Sequence, residues 1–178
     1  DESAKPFVES ILKRGHESVI EHISFTVRFI CDRGVTHEIV RHRLASYSQE
    51  STRYCNYNGG VQFIIPPWID ENEAEKEFLA GVPKEDWSSL DIFLNALYIS
   101  ELSYVLLLKK GWTPQEARDV LPNSLKTEIV MSANLREWRH FFKLRCASSA
   151  HPQMREITVP LLLEMQKLIP VIFDDIPY

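Results

Sequence analysis

The chain has 178 residues, 44% of them apolar and 25% charged, the balance of one soluble globular domain whose core needs neither metal nor disulfide to hold it. Its 25 acidic and 20 basic side chains leave a net charge of −5. That excludes wholesale coating of nucleic acid or an anionic membrane and makes any basic patch a local one.

Ser3 is placed to cap a first amphipathic helix carrying Phe7, Val8, Ile11 and Leu12, with Gly15 where a left-handed residue ends it. From His22 to Cys31 the pattern alternates, Ile23, Phe25, Val27, Phe29 and Cys31 against Ser24, Thr26 and Arg28, which predicts a half-buried strand closed by Asp32-Arg33-Gly34. Val35 to Leu44 returns to helical spacing. Ala45 to Gly60 is polar and too long for an ordinary connection, the mark of a loop with work to do. Val61 to Ile65 reads as a strand stopped by Pro66-Pro67, and Asp86 to Lys110 as a helix with a broad apolar face, ended by Gly111. Thr113-Pro114-Gln115-Glu116 orders a cap, an N1 proline and a capping-box glutamate, starting a helix that Pro122 ends. Leu125, Thr127, Ile129, Met131 and Ala133 alternate as a strand. Asn134 then caps a helix to about Arg145, and a last helix starts at Pro152 with a bend expected at Pro160.

Cys31, Cys55 and Cys146 are odd in number and form no C-x-x-C pair, so they specify no disulfide framework or cysteine zinc site and fit a reducing, cytoplasmic setting. No uninterrupted apolar run reaches the ~18 residues of a membrane span, and Asp1-Glu2-Ser3 does not open a signal peptide. His16-Glu17 and His37-Glu38 begin like a zinc-protease H-E-x-x-H, but Ile20 and Arg41 occupy the fifth positions, so no metal site is expected. Gly59-Gly60 fits no phosphate-loop pattern and reads as a turn.

The densest polar stretch is Arg41-His42-Arg43-Leu44-Ala45-Ser46-Tyr47-Ser48-Gln49-Glu50-Ser51-Thr52-Arg53. Two cations about 6 Å apart repel by roughly 3 kcal/mol at an effective dielectric near 20, so clustering three arginines and a histidine calls for an anion. A phosphate would accept guanidinium pairs and the hydroxyl donors nearby. The plainer alternative is a solvated basic face. The second constellation runs from Asn134 to Arg145. On a helix it turns Arg136, His140 and Arg139 or Lys143 to one side, while Leu135, Trp138, Phe142 and Leu144 pack inward. A non-catalytic nucleotide- or RNA-binding module would use the same arginines.

Set side by side, these segments resemble the flavin-dependent thymidylate synthases, also called thymidylate synthase complementing proteins. The family signature R-H-R-x-x-S followed by S-x-R reads here as Arg41-His42-Arg43-Leu44-Ala45-Ser46 and Ser51-Thr52-Arg53. Gly15 to His22 (G-H-E-S-V-I-E-H), Ala117 to Pro122 (A-R-D-V-L-P) and Asn134 to Arg145 (N-L-R-E-W-R-H-F-F-K-L-R) also look like the family, in its order. Ser48 replaces a usual asparagine, Gln49 stands where a glutamate is common with Glu50 one place later, and Glu38 stands where many members have glutamine.

The resemblance implies an α+β fold, helices packed on a mainly antiparallel sheet, with residues 1–178 as a single catalytic domain lacking a natural N-terminal strand and helix. It implies reductive methylation of dUMP to dTMP, with methylenetetrahydrofolate as carbon donor, NADPH or NADH as reductant and FAD as cofactor. Carried over residue by residue, Glu38, Arg41, Gln49, Glu50, Ser51, Thr52, Arg53 and Arg118 would bind dUMP. Arg145 would sit against the uracil as a catalytic cation, and His16 would be a second catalytic residue near the flavin or folate. Ser18, Glu21, Arg41, His42, Arg43, Asn134, Arg136 and His140 would line FAD. The resemblance also implies a homotetramer with shared active sites, and one core of this size has little room to enclose all three ligands by itself.

Overall fold

The alternation from residue 125 to 133 forms a strand buried on one side. The computed structural model describes residues 4–70, 72 and 87–178, so the proposed cap at Ser3 and the start of the helix expected from Asp86 lie outside the described residues. The chain is α+β. Strands β1 (Ser24–Asp32), β2 (Ser46–Gln49) and β3 (Lys126–Asn134) make an antiparallel sheet in the order β1-β3-β2. The helices are α1 (Ala4–Lys13), α2 (Arg33–Ile39), α3 (Ser89–Lys109), α4 (Pro114–Ala117), α5 (Leu135–Arg145), α6 (Pro152–Leu168) and α7 (Pro170–Phe173), with short 3₁₀ turns at Glu17–Ile20 and Arg118–Val120. Two compact units divide these residues: the first is Asp1–Phe29, His37–Ser48 and Ile129–Tyr178, the second Ile30–Thr36 and Gln49–Glu128.

The first unit is organised on Trp138 of α5. Its indole stacks on Phe25 of β1 at 4.5 Å between centroids, meets Phe141 and Phe142 at 5.3 and 5.7 Å, and donates Nε1–H to the Phe25 carbonyl at 3.2 Å. Trp138, Phe141, Phe142, Met154, Leu162 and Phe173 are fully buried. Each such side chain contributes roughly 1.5–3 kcal/mol through burial, so the apolar side of α5 fixes where its polar side points. Of Arg139 and Lys143, the alternatives for the cationic face, Arg139 is buried and held by Asp175 at 2.6 and 2.7 Å, by Glu17 at 3.2 Å and by the Ile172 carbonyl. Leu144, expected inside, is 50% exposed. Leu135, Trp138 and Phe142 are buried as expected, and Phe141 joins them, 6.0 Å from Phe29 of β1. Helix α6 continues through Pro160, which is exposed, and ends at Leu168.

In the second unit, α3 begins in the capping box of Ser88 and Asp91 (2.7 and 3.2 Å) and α4 in that of Thr113 and Glu116. Both satisfy orphan helix N–H groups. The helix expected from Thr113 to Pro122 is shorter than predicted, α4 followed by a 3₁₀ turn. Asp32 accepts the Val35 N–H at 2.7 Å, so α2 starts directly at Arg33 and ends at Ile39, earlier at both ends than its apolar spacing predicts. The expected loop from Ala45 to Gly60 contains β2, and the expected strand from Val61 to Ile65 reduces to a single bridge between Phe63 and Leu125. Helix α3 is the one helix among the described residues long and apolar enough to cross a membrane by length and composition, although no uninterrupted apolar run announced it. Mid-helix Glu101 accepts the Val61 N–H at 2.9 Å, a contact suited to packing against protein.

Candidate active site

The first unit contains a cleft of about 730 Å³ lined by Glu17 and Glu21, by Arg41-His42-Arg43-Leu44, and by Asn134, Arg136, Glu137, His140, Lys143, Leu144 and Arg145 of α5 and its cap. Asn134 Oδ1 accepts the Glu137 N–H at 2.9 Å, starting α5 at the cleft wall. From there the helical repeat returns Glu137, His140 and Leu144 to the cleft while Trp138, Phe141 and Phe142 pack behind it. Five cations line this space against three carboxylates. Arg136 is paired with Glu21 at 2.5 Å, and Lys143 lies 3.8 Å from Glu17. Arg41 and Arg43 are exposed and make no ion pair among the described residues, leaving their guanidinium groups for an incoming anion. A shallower groove of about 350 Å³ shares Arg43, Leu44 and Asn134 and adds Ser24, Ser46 and Ser132.

His42 is buried between these arginines, against Phe141 at 4.9 Å and His140 at 5.6 Å. Burial, then the Arg145 guanidinium and the neighbouring His140, pushes its pKa down from 6.5 to about 4, so the ring is neutral. Arg145 donates Nε–H to His42 Nε2 at 3.0 Å, and His42 Nδ1 lies 3.3 Å from Glu137 Oε1. Burial raises the pKa of that carboxyl. Arg145 also donates to Glu38 Oε2 at 2.7 Å and to the Glu38 carbonyl at 3.0 Å, while Thr158 Oγ1 donates to the Arg145 carbonyl at 3.0 Å. Ligand atoms of His42, Glu137 and His140 lie within 4.8 Å of one another. The imidazole and carboxylate are bonded to each other and a guanidinium holds the ring, an arrangement set among cations that favours an anionic ligand.

The structure therefore gathers Glu21, Arg41, His42, Arg43, Asn134, Arg136, His140 and Arg145 in one cleft, with Glu38 bonded to Arg145. His16, which precedes the 3₁₀ turn, and Ser18 within it are exposed and do not line the cleft. Gln49, Glu50, Ser51, Thr52, Arg53 and Arg118 belong to the second unit. There Thr52 accepts from Arg118 at 3.4 Å, Ser51 Oγ accepts the Arg53 N–H at 3.3 Å, and Gln49 donates to Thr36 at 3.0 Å. Glu50 is engaged by Tyr57 at 2.6 Å and Lys126 at 3.7 Å, beside a cavity of about 250 Å³. Sequence reasoning offered Lys143 for the cationic face, where the cleft has it, but missed Glu137 and the site role of Glu17. Only the i, i+3 spacing of Glu137 and His140 marked them, since burial of an acid depends on partners distant in sequence.

An α+β scaffold carries a cationic cleft beside the N-terminus of α5, the kind of place where backbone N–H groups and guanidinium groups favour an anion. The sequence model described as thymidylate synthase complementing protein matches residues 1–171. The flavin-dependent thymidylate synthase of Geobacter sulfurreducens is 34% identical over 171 residues, 95% of this chain and 68% of that protein. Those of Corynebacterium glutamicum and Pyrococcus furiosus are 36% and 37% identical, covering 95% and 88% of this chain and 68% and 60% of theirs. The chain belongs to the thymidylate synthase complementing protein family.

Proposed function

We propose that the chain is a flavin-dependent thymidylate synthase, converting dUMP to dTMP with methylenetetrahydrofolate and NADPH or NADH, and that residues 1–178 act as one catalytic domain. The observation that carries this reading is the cleft beside the start of α5 in which Arg41 and Arg43, without an ion pair among the described residues, stand on either side of the buried neutral imidazole of His42 in the sequence. FAD fits that donor set: Arg41 and Arg43 suit its diphosphate, Asn134, Arg136 and His140 line the same wall, and the adjoining groove extends the site for an elongated cofactor. When bound, the flavin supplies the redox chemistry.

The protein's own part is binding and electrostatics. Ser51, Thr52, Arg53 and Arg118, with Gln49 and Glu50 beside them, offer hydroxyl and guanidinium donors of the kind that hold a nucleotide phosphate. Arg145, fixed by His42 and Glu38, presents a preorganised positive charge. Placed against the uracil carbonyls, it stabilises the negative charge that develops as the ring is attacked at C6. Glu38 orients that guanidinium, and His16 and Ser18 complete the site with the flavin or folate in place. No cysteine nucleophile is needed. Burial pushes the Cys31 thiol up to about 12 and raises Cys55 and Cys146 as well, so none is primed as a thiolate.

We infer a homotetramer with shared sites and a cytoplasmic setting. Ile92, Ile99, Leu102 and Leu106 of α3 are 40–55% exposed on one helical stripe, an apolar strip suited to burial against another copy. The three cysteines are free, which agrees with a reducing compartment. Product formation in a reconstituted assay tests the reading.

A further inference from the structure

We propose that Glu137 is a positioning residue for Arg145, acting through the ring of His42. The inference rests on the reading of Arg145 as the cation that meets the pyrimidine. An arginine side chain has five N–H donors and no acceptor, so His42 Nε2, which receives Arg145 Nε–H at 3.0 Å, must present a lone pair. A neutral ring then carries its single proton on Nδ1, and that proton points to Glu137 Oε1 at 3.3 Å. The chain of bonds has one direction only: Arg145 donates to His42, and His42 donates to Glu137.

Two independent features place Glu137 in this task. First, it is 6% exposed, and a carboxylate at such depth is costly unless its bonding repays the loss of water. Second, it occupies the third position of its helix behind the Asn134 cap, as Asp91 and Glu116 do behind Ser88 and Thr113. Those two acids turn back to the backbone N–H of their own caps at 2.7 and 2.8 Å. The Glu137 carboxylate goes across to His42 instead. With Glu38 accepting from Nη1 and Nη2, all three guanidinium nitrogens are committed, and two N–H groups and the planar face remain for a ligand. Without Glu137 the ring loses its acceptor, its Nδ1–H is left buried and unpaired, and the imidazole no longer holds one tautomer or one angle toward Arg145.

The test compares Glu137→Leu, which cannot accept a hydrogen bond, with Glu137→Gln, whose Oε1 can. Nitrogen-15 NMR of the intact protein should show His42 protonated at Nδ1 in the wild type and in Glu137→Gln, and a shifted or averaged tautomer with a displaced Arg145 Nε–H signal in Glu137→Leu. With cofactor bound, Glu137→Leu should lower kcat roughly tenfold, equal to about 1.4 kcal/mol, with KM for dUMP within twofold, and Glu137→Gln should restore it. Nε2 protonation in the wild type would overturn the proposal even if Glu137→Leu fails to fold. So would a glutamine variant as impaired as the leucine one, or a leucine variant with an unchanged Arg145 signal. Failure of the wild type to make dTMP would strike the function reading, while the two NMR signals would still decide whether Glu137 orients His42 and Arg145.

Discussion

His42 is neutral because burial and the adjacent guanidinium both oppose its proton, and this gives the fold a pH dependence of definite sign. Its folded pKa of about 4 lies below the unfolded 6.5, so between these values the unfolded chain binds a proton that the folded one refuses. The associated stability is complete above about 6.5 and is lost as pH falls toward 4. Glu137, raised by burial, binds its proton first in the folded state and works in the opposite direction. The difference between wild type and His42→Gln isolates the histidine: urea midpoints of the wild type should fall more steeply from pH 6.5 to 4 than those of the variant, and parallel curves would contradict the burial argument. Arg145 yields a second prediction at this scale. Lysine keeps the charge but cannot hold His42 and both Glu38 oxygens at once. Arg145→Lys should therefore lose tenfold or more in turnover, roughly 1.4 kcal/mol or above, with flavin binding kept. Turnover with saturating dUMP, read beside flavin absorbance, checks it.

Helix α5 is the element on which the site is mounted, and its start was legible. Asn134 read as a cap and serves as one, with its Oδ1 2.9 Å from the Glu137 nitrogen. Asn134→Ala should cost about 1 kcal/mol of stability and loosen the first turn, where Arg136 and Glu137 stand. Chemical denaturation measures the first effect, and an unchanged midpoint would contradict the capping role. The strands were legible in proportion to their apolar alternation. β3 follows its pattern residue by residue, with Leu125, Thr127, Ile129, Met131 and Ala133 all buried. β2, only Ser46–Gln49, has no apolar alternation to announce it and exists through pairing with β3. The side-chain plan of α5 was half legible. Its aromatic face follows from helical spacing, but burial of Arg139 depends on Asp175 and Glu17, residues that no local window connects to it.

Across the whole molecule, the R-H-R-x-x-S signature marked the site and the family model spans residues 1–171. Hidden from sequence was the hydrogen-bonded order behind the signature, in which Glu137, His42, Arg145 and Glu38 form one chain. The exposed apolar stripe of α3 bears on assembly. If anionic ligands offset the repulsion among clustered arginines, ligand occupancy and oligomer stability are linked by mass action. Light scattering with flavin absorbance over a dilution and salt series should then show both lost together, and Leu102→Asp should bring the loss to higher protein concentration. A monomer retaining full flavin would contradict the shared site.

The most direct measurement is product formation by the purified protein. Supplied with FAD, dUMP, methylenetetrahydrofolate and NADPH, it should form dTMP while oxidising NADPH, and formation should stop when flavin or dUMP is withheld. A folded, flavin-loaded protein that oxidises NADPH yet yields no dTMP would contradict the proposed function.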